Sequence, residues 1–208
     1  FGKGKKDLIK GAEPHDLHLR YFSVIPFPQP SSFFTKTAIA HTGLLDESLH
    51  FGMDYDLLIR IAGQFDIIRT DEVLSKYRLH SSSKTVSQLP RFAGEWARVF
   101  SRFLNSTDIP ASTLSLLSEN GFYFPNEPSI RIKHQLLKED IDLIVTYFLF
   151  YQLIIYYEVL DMQMVKHILE MIHTLSPSFY SKMNLKRIAV RSRFLPPVLI
   201  QLFRAIAR

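Results

Sequence analysis

The chain contains no cysteine in its 208 residues. Disulfide bonds, thiolate nucleophiles and zinc–thiolate sites are therefore excluded. The sequence also lacks a basic segment followed by an apolar run at its start, which is the pattern of a signal peptide. Both absences are compatible with a cytoplasmic protein, which we expect. The first residues are FGKGKK, without an initiating methionine, and we expect the chain to be part of a longer protein.

Hydrophobic residues make up 47% of the chain and aromatic residues 13%, so it can bury a core and is not a disordered tail. The formal net charge of +5 is concentrated at the end. Residues 182–208 include seven lysines and arginines and no acid. This segment favours an anionic partner, and we expect a membrane surface at the inner face of the membrane, with no nucleic acid. The alternative is a solvated basic helix face.

The first part of the chain, 1–87, has mixed α/β character. After the proline-rich stretch PFPQP, the segments SSFFTK, FDIIR and VLSKYRLH are typical of short strands. TKTAIAHTG predicts a short helix that ends at Gly43, and a second helix is predicted at 54–62, with Gly63 just beyond it. We therefore expect an α/β half-domain followed by a separate region.

The second part, 88–208, is predicted to be all-helical, with the boundary near Ser87. Pro90 suits the first turn of a helix whose apolar residues recur at helical spacing. A long helix is predicted at about 129–160, another at 162–174, and more after residue 178. The apolar segment 141–160 is long enough to cross a membrane, but a helix that is apolar on every side is also typical of a bundle core, which we favour.

Two aspartates, Asp54 and Asp56, stand at the predicted start of the helix in MDYDLLIR. Free backbone N–H groups at a helix start stabilise anions, and one carboxylate is enough for that role. The second could accept a proton from a hydroxyl group that attacks a substrate. The alternative is that both aspartates only cap the helix.

Four segments in order, QPSSFF, TGLLDE, MDYDLLIR and VLSKYRLHSSSKT, resemble the acceptor-side half of inverting family-two glycosyltransferases of the A-type fold. The resemblance covers about residues 1–87, and it does not extend to the helical region. It implies a nucleotide-sugar donor and a hydroxyl acceptor, with inversion at the sugar carbon. Met53 and Leu58 depart from the residues that many relatives have at these positions, which are Glu and Trp.

Carried over position by position, the resemblance implies that Asp54 is the catalytic base. It implies substrate contacts for a further set of residues, with His80 also a possible metal ligand: Gln29, Ser31, Ser32, Asp56, Arg60, Arg78 and His80. A divalent metal, Mg²⁺ or Mn²⁺, would be held mostly by residues upstream of this chain. We therefore expect the isolated chain to be inactive. The competing interpretation is a non-catalytic interaction or membrane-surface module built on a transferase remnant.

The basic end offers a second hypothesis. FLPPVLIQLFRAIAR predicts a helix with an apolar stripe at 198–206, preceded by the cations of KRIAVRSR. Such a helix can lie in the headgroup layer of an anionic membrane. Alternatively, the stripe packs on the neighbouring helices of the bundle.

Overall fold

The structure is a computed structural model that describes residues 17–24, 29–68, 70, 72–75, 88–133, 135–196 and 199–200. The chain divides into two compact units, 1–137 and 138–208. The predicted boundary near Ser87 lies outside the described residues. The division after Leu137 assigns two helices that were predicted to belong to the second region to the first unit.

The predicted α/β fold of the first part is wrong, because the regular structure in the described residues is entirely helical. Residues 29–31 of the proposed first strand region form a 3₁₀ turn, and Lys36 already begins a helix. Residues 66–68 and 73–75 are irregular. A strand is stabilised by a neighbouring strand that accepts its backbone hydrogen bonds, and the described residues supply none. The remainder of VLSKYRLH lies outside the described residues.

The helices of the first unit are α1 (Leu17–Arg20), α2 (Lys36–Thr42), α3 (Met53–Ala62), α4 (Leu89–Leu104) and α5 (Ala111–Glu119). Thr35 begins α2, since its hydroxyl accepts the N–H of Ala38 at 3.1 Å. Gly43 ends α2 with a φ of 82°, which confirms the predicted stop.

The core of the first unit forms where α3 packs against α4. Leu49, Tyr55, Ile59 and Val99 are almost completely buried there. Pro90 lies in the first turn of α4, as predicted. Phe100 and Phe103 stack in the buried stripe of that helix, with ring centres 5.7 Å apart. The two helices are thus held together by apolar burial, and this contact fixes the start of α3.

The second unit contains α6 (Lys138–Glu158), α7 (Met162–Leu175), α8 (Pro177–Lys182) and α9 (Lys186–Phe194). The most extensive packing is between α6 and α7. Among the described helices, α6 alone is long and apolar enough to cross a membrane, and half of its most apolar stretch is buried inside the protein. Such burial also fits the predicted bundle core.

Helix α6 begins nine residues later than the predicted start at about 129. The segment before it belongs to the first unit, and its backbone N–H groups donate to distant residues of that unit instead of to a helix. The N–H of Lys133 donates to the carbonyl oxygen of Gly63 at 2.7 Å, and the N–H of Ile130 donates to the hydroxyl of Ser106, also at 2.7 Å. These long-range bonds explain why the described residues of 129–137 do not join the helix.

Candidate functional site

The two aspartates in the first turn of α3 lie on nearly opposite sides of the helix. Each residue of an α-helix advances by about 100°, so positions two apart differ by about 200°. Asp56 is completely buried, whereas Asp54 is partly exposed. The spacing therefore gives the two carboxylates different environments.

Asp56 binds two arginines. Arg60, one turn further along α3, donates from Nε and Nη2 to Oδ2 at 2.9 and 2.7 Å. Arg102 of α4 donates from Nη1 to Oδ1 at 2.6 Å. A buried carboxylate is stable only when it is paired and hydrogen-bonded in this way. Asp56 therefore ties α3 to α4.

Arg102 connects this pair to two more carboxylates. Its Nη2 lies 2.9 Å from Asp46, and its Nε lies 3.2 Å from Glu127. Burial alone would lower the pKa of Arg102, but its bonds to Asp46 and Asp56 outweigh burial and raise the pKa. Arg102 thus stays charged and holds together three segments of the first unit.

The backbone N–H groups just before α3 are occupied by Glu95 of α4. Its carboxylate accepts hydrogen bonds from His50 at 3.1 Å, Phe51 at 2.6 Å and Gly52 at 2.8 Å. The indole of Trp96 donates to the Phe51 carbonyl oxygen at 3.3 Å. Because Glu95 binds the N–H groups of this loop, neither aspartate of α3 is needed there.

The carboxylate of Asp54 accepts hydrogen bonds from backbone N–H groups, that of Tyr55 at 2.8 Å and its own. In the part of the chain that the structure describes, no lysine or arginine forms an ion pair with it. Leu58, one turn along the same face, is buried. Burial raises the pKa of Asp54 above the ordinary value of 3.8, and the hydrogen bonds from the N–H groups of Tyr55 and of Asp54 itself offset only part of that rise. Asp54 is therefore suited to accept a proton.

Tyr55, between the aspartates, is a structural residue. It is 1% exposed, and its hydroxyl donates to the Phe22 carbonyl oxygen at 2.6 Å. Burial raises the pKa of its phenol well above 10, so it remains a hydrogen-bond donor. Tyr55 fixes the rotation of α3 about its axis, and hence the direction in which Asp54 lies.

The other predicted substrate residues fall into two groups. Arg60 also donates to the carbonyl oxygens of Thr42 and Leu44, so within the described residues its guanidinium and Asp56 support the fold. Gln29 is exposed on the 3₁₀ turn, Ser31 contacts the hydroxyl of Ser75, and the Ser32 hydroxyl is buried. None of these last three residues hydrogen-bonds Asp54 in the described part. Arg78 and His80 lie outside the described residues.

The described residues contain no group of three or more His, Asp or Glu side chains that could hold a metal ion. The donor set for the expected Mg²⁺ or Mn²⁺ is therefore not present in that part of the chain. We assign no chemical step to a metal.

The sequence did not indicate Glu95 or Arg102 as part of this site. Glu95 lies 43 to 45 residues from its partners, and Arg102 lies 46 residues from Asp56. One signal was available, since Glu95 and Arg102 are charged residues of the amphipathic α4 and lie seven apart on one helix face.

Comparison of the chain with protein-family models, with curated proteins and with solved structures finds no match. The function must therefore be argued from the residues and geometry described above.

Proposed function

We propose that this chain carries the acceptor side of a nucleotide-sugar-dependent glycosyltransferase in which Asp54 is the general base. The observation that carries the proposal is the difference between the two aspartates of α3. Asp56 is buried between two arginines, whereas Asp54 is partly exposed and has no described cationic partner. We propose the reaction and the role of Asp54, without the α/β fold that the resemblance implied.

The reaction is a single displacement. The acceptor hydroxyl oxygen forms a bond to the anomeric carbon while the bond from that carbon to the diphosphate oxygen breaks. The hydroxyl proton passes to an Oδ of Asp54, and the bonding electron pair leaves with the nucleoside diphosphate. The configuration at the anomeric carbon is inverted, because the nucleophile attacks opposite the leaving group.

The surroundings of Asp54 support this role. A carboxylate whose pKa is raised by burial binds a proton more tightly than an exposed one, which improves it as a base as long as it is ionised at the working pH. Tyr55 and Glu95 hold the first turn of α3 in place without using the Asp54 carboxylate as an anchor. This arrangement leaves Asp54 available to a hydroxyl group.

Four of the remaining predicted residues keep their proposed roles around the acceptor and donor, whereas Asp56 and Arg60 support the fold. Gln29 and Ser31 would contact the acceptor, and the exposed amide of Gln29 suits a sugar. Ser32 is left out of this set, because its hydroxyl is buried. Arg78 and His80 would lie near the diphosphate, as the motif YRLH suggests. The support for these roles is the order of the motifs.

The test is the substitution Asp54→Asn in the complete enzyme, assayed for sugar transfer from UDP- and GDP-sugars. Loss of a general base typically lowers turnover by about 10²- to 10⁴-fold, and we expect that loss with the donor KM nearly unchanged. The matched control is Asp66→Asn, since Asp66 is exposed in the loop after α3. Normal turnover of Asp54→Asn would rule out the assignment.

The pH profile provides an independent readout. Because the folded-state pKa of Asp54 is raised, the acid limb of kcat/KM should be displaced upward from the position expected for an ordinary aspartate, and activity should rise as Asp54 ionises. In Asp54→Asn the residual activity should lose this limb. An unchanged limb in the variant would assign the titration to another group.

A further inference from the structure

The outer face of α9 is strongly basic. Lys186, Arg187, Arg191 and Arg193 are all exposed, whereas Ser192 on the opposite side is buried. The basic segment noted in the sequence is therefore a helix on which Lys186, Arg187 and Arg191 face away from the packed side, while the exposed Arg193 also borders a cavity shared with α7.

Two apolar side chains lie in the middle of this basic face. Val190 is 48% exposed and Phe194 is 70% exposed. They are four residues apart and so share one side of the helix. At about 100° per residue, Lys186 and Arg193 flank them on one side, and Arg187 and Arg191 on the other.

The described residues of the protein leave both apolar side chains largely uncovered. Phe194 contacts the guanidinium of Arg193, whose carbon lies 5.6 Å from the ring centre, but most of the ring remains open. Met183 and Leu199, just before and after the helix, are also more than 40% exposed. Apolar exposure next to concentrated positive charge indicates a partner with both apolar and anionic character.

We propose that this face, defined as Lys186, Arg187, Val190, Arg191, Arg193 and Phe194, docks on a membrane surface that contains anionic lipid. Phe194 and Val190 enter the boundary between headgroups and acyl chains, while the four cations bind lipid phosphates. A nucleic acid would match the charge but would offer no apolar layer for Val190. Charge complementarity is strong, because no acid occurs anywhere in 182–208.

This proposal is independent of the role of Asp54, since binding to vesicles requires no sugar transfer. It also differs from the hypothesis based on the stripe at 198–206, which lies mostly outside the described residues. The docking face is α9 itself, which the structure describes completely.

The experiment is co-sedimentation of the full chain with phosphatidylcholine vesicles, with and without phosphatidylglycerol. We expect binding only in the presence of phosphatidylglycerol, weakened by salt. Arg187→Gln with Arg191→Gln should lower the partition coefficient by about tenfold or more, since each cation near such a surface contributes a severalfold gain. Phe194→Ser should lower it about fivefold or more.

Matched controls use exposed residues of the first unit. Lys36→Gln with Arg131→Gln removes the same charge, and Ile68→Ser removes an apolar side chain that is 93% exposed. These variants should bind as the parent does. All substituted side chains are exposed, and circular dichroism checks that each variant is folded.

Two results would overturn the proposal. One is an equal loss of vesicle binding in the control charge variant and in the α9 charge variant, which would mean that binding depends only on the net charge of the protein. The other is full binding by Phe194→Ser together with equally tight, charge-dependent binding of the parent to duplex DNA, which would assign the face to nucleic acid.

Discussion

Gly63 lies where the end of α3 meets the segment that leads to the second unit. A Cβ atom at this position would overlap the carbonyl oxygen of Arg131. The φ of Gly63 is −66°, which any residue adopts, so the requirement for glycine is one of space. We expect Gly63→Ala to lower the free energy of unfolding by about 2 kcal/mol, as measured by urea denaturation.

The control for this substitution is Gly94→Ala. Gly94 lies inside α4, and a Cβ there would meet no atom within 4 Å. This change should raise the free energy of unfolding by about 0.5 to 1 kcal/mol, because alanine loses less chain entropy than glycine in a helix. Equal effects of the two substitutions would contradict the packing argument.

Asp46 gives the stability a defined dependence on pH. Hydrogen bonds from Ser48 and then from Arg102 lower its pKa from 3.8 to about 2, against a smaller opposing effect of burial. Because the unfolded chain holds this proton more tightly, the stabilisation is complete above pH 4 and is lost as the pH falls toward 2. Asp46→Asn should therefore destabilise the protein at pH 5 and have less effect near pH 2.5, in urea titrations at both values.

At the level of single residues, the sequence predicted the positions of Asp54 and Asp56 but not how they differ. A helix start and two carboxylates are local features that propensity and spacing indicate. The partner of Asp56 on α4 is remote in sequence, and only the packing of α3 on α4 brings Arg102 within 2.6 Å. Local pattern alone could not distinguish a buried aspartate from a partly exposed one.

Among the elements, α4 contributes most to the order of the first unit, and Arg102 is its central polar contact. Its guanidinium binds Asp46, Asp56 and Glu127. Arg102→Leu should lower the free energy of unfolding by about 3 kcal/mol or more, because it leaves a buried carboxylate with one partner fewer. Chemical denaturation measures this change.

The matched control is Arg98→Leu on the same helix. Arg98 also binds Glu127, at 2.6 Å, but its side chain is 42% exposed. Exposed pairs contribute at most about 1 kcal/mol, so this variant should be close to the parent in stability. If Arg98→Leu lowered the free energy of unfolding as much as Arg102→Leu, the effect would depend on position in α4 and not on burial of the ion pair.

The loop before α3 depends on α4 through Glu95. Glu95→Ala removes the acceptor of three backbone N–H groups, and we expect faster hydrogen exchange at Phe51 and Gly52. If the hydrogen bonds to Glu95 protect these amides by about 1.4 kcal/mol or more, their exchange rates should increase tenfold or more. Glu119→Ala, at the exposed end of α5, is the control. Unchanged exchange at both amides would mean that the loop is held by other contacts.

Helices and strands were not equally predictable. α3 and α4 were predicted because a helix satisfies its own backbone and needs only an apolar stripe and suitable ends. The strand predicted at 31–36 was wrong, and so was the strand predicted at 65–69 over its described residues, 65–68. Apolar alternation does not supply the neighbouring strand that a ladder requires. The start of α6 was missed because bonds made by Ile130 and Lys133 over a long range hold the preceding residues.

At the scale of the molecule, the two units can be followed separately because the chain has a single tryptophan. Trp96 belongs to the first unit, on α4. Leu169 is buried in the second unit, so Leu169→Ala should shift the denaturation curve seen by far-ultraviolet circular dichroism and leave the tryptophan fluorescence curve nearly unchanged. Arg102→Leu should shift the fluorescence curve. Equal shifts of both signals in both variants would indicate a single cooperative transition.

The chain divides into compact units after Leu137, whereas composition placed a boundary near Ser87, outside the described residues. The described residues of 88–137 are helical or irregular and resemble the second unit in composition, yet they belong to the first. The apolar cluster between α3 and α4 and the ion pairs that Arg102 makes with Asp46 and Asp56 together place them there. Hydrophobic periodicity carries no information about such pairs.

The ion pair between Asp56 and Arg102 also limits which sequence changes this protein can accept during evolution. A carboxylate with no exposed surface cannot lose its cation by a single substitution without a large cost. Positions 56 and 102 should therefore change together or remain fixed. Recombination at a crossover between α3 and α4 would separate the partners whenever the two parents differ at either position, and its offspring should fold only when both residues come from the same parent.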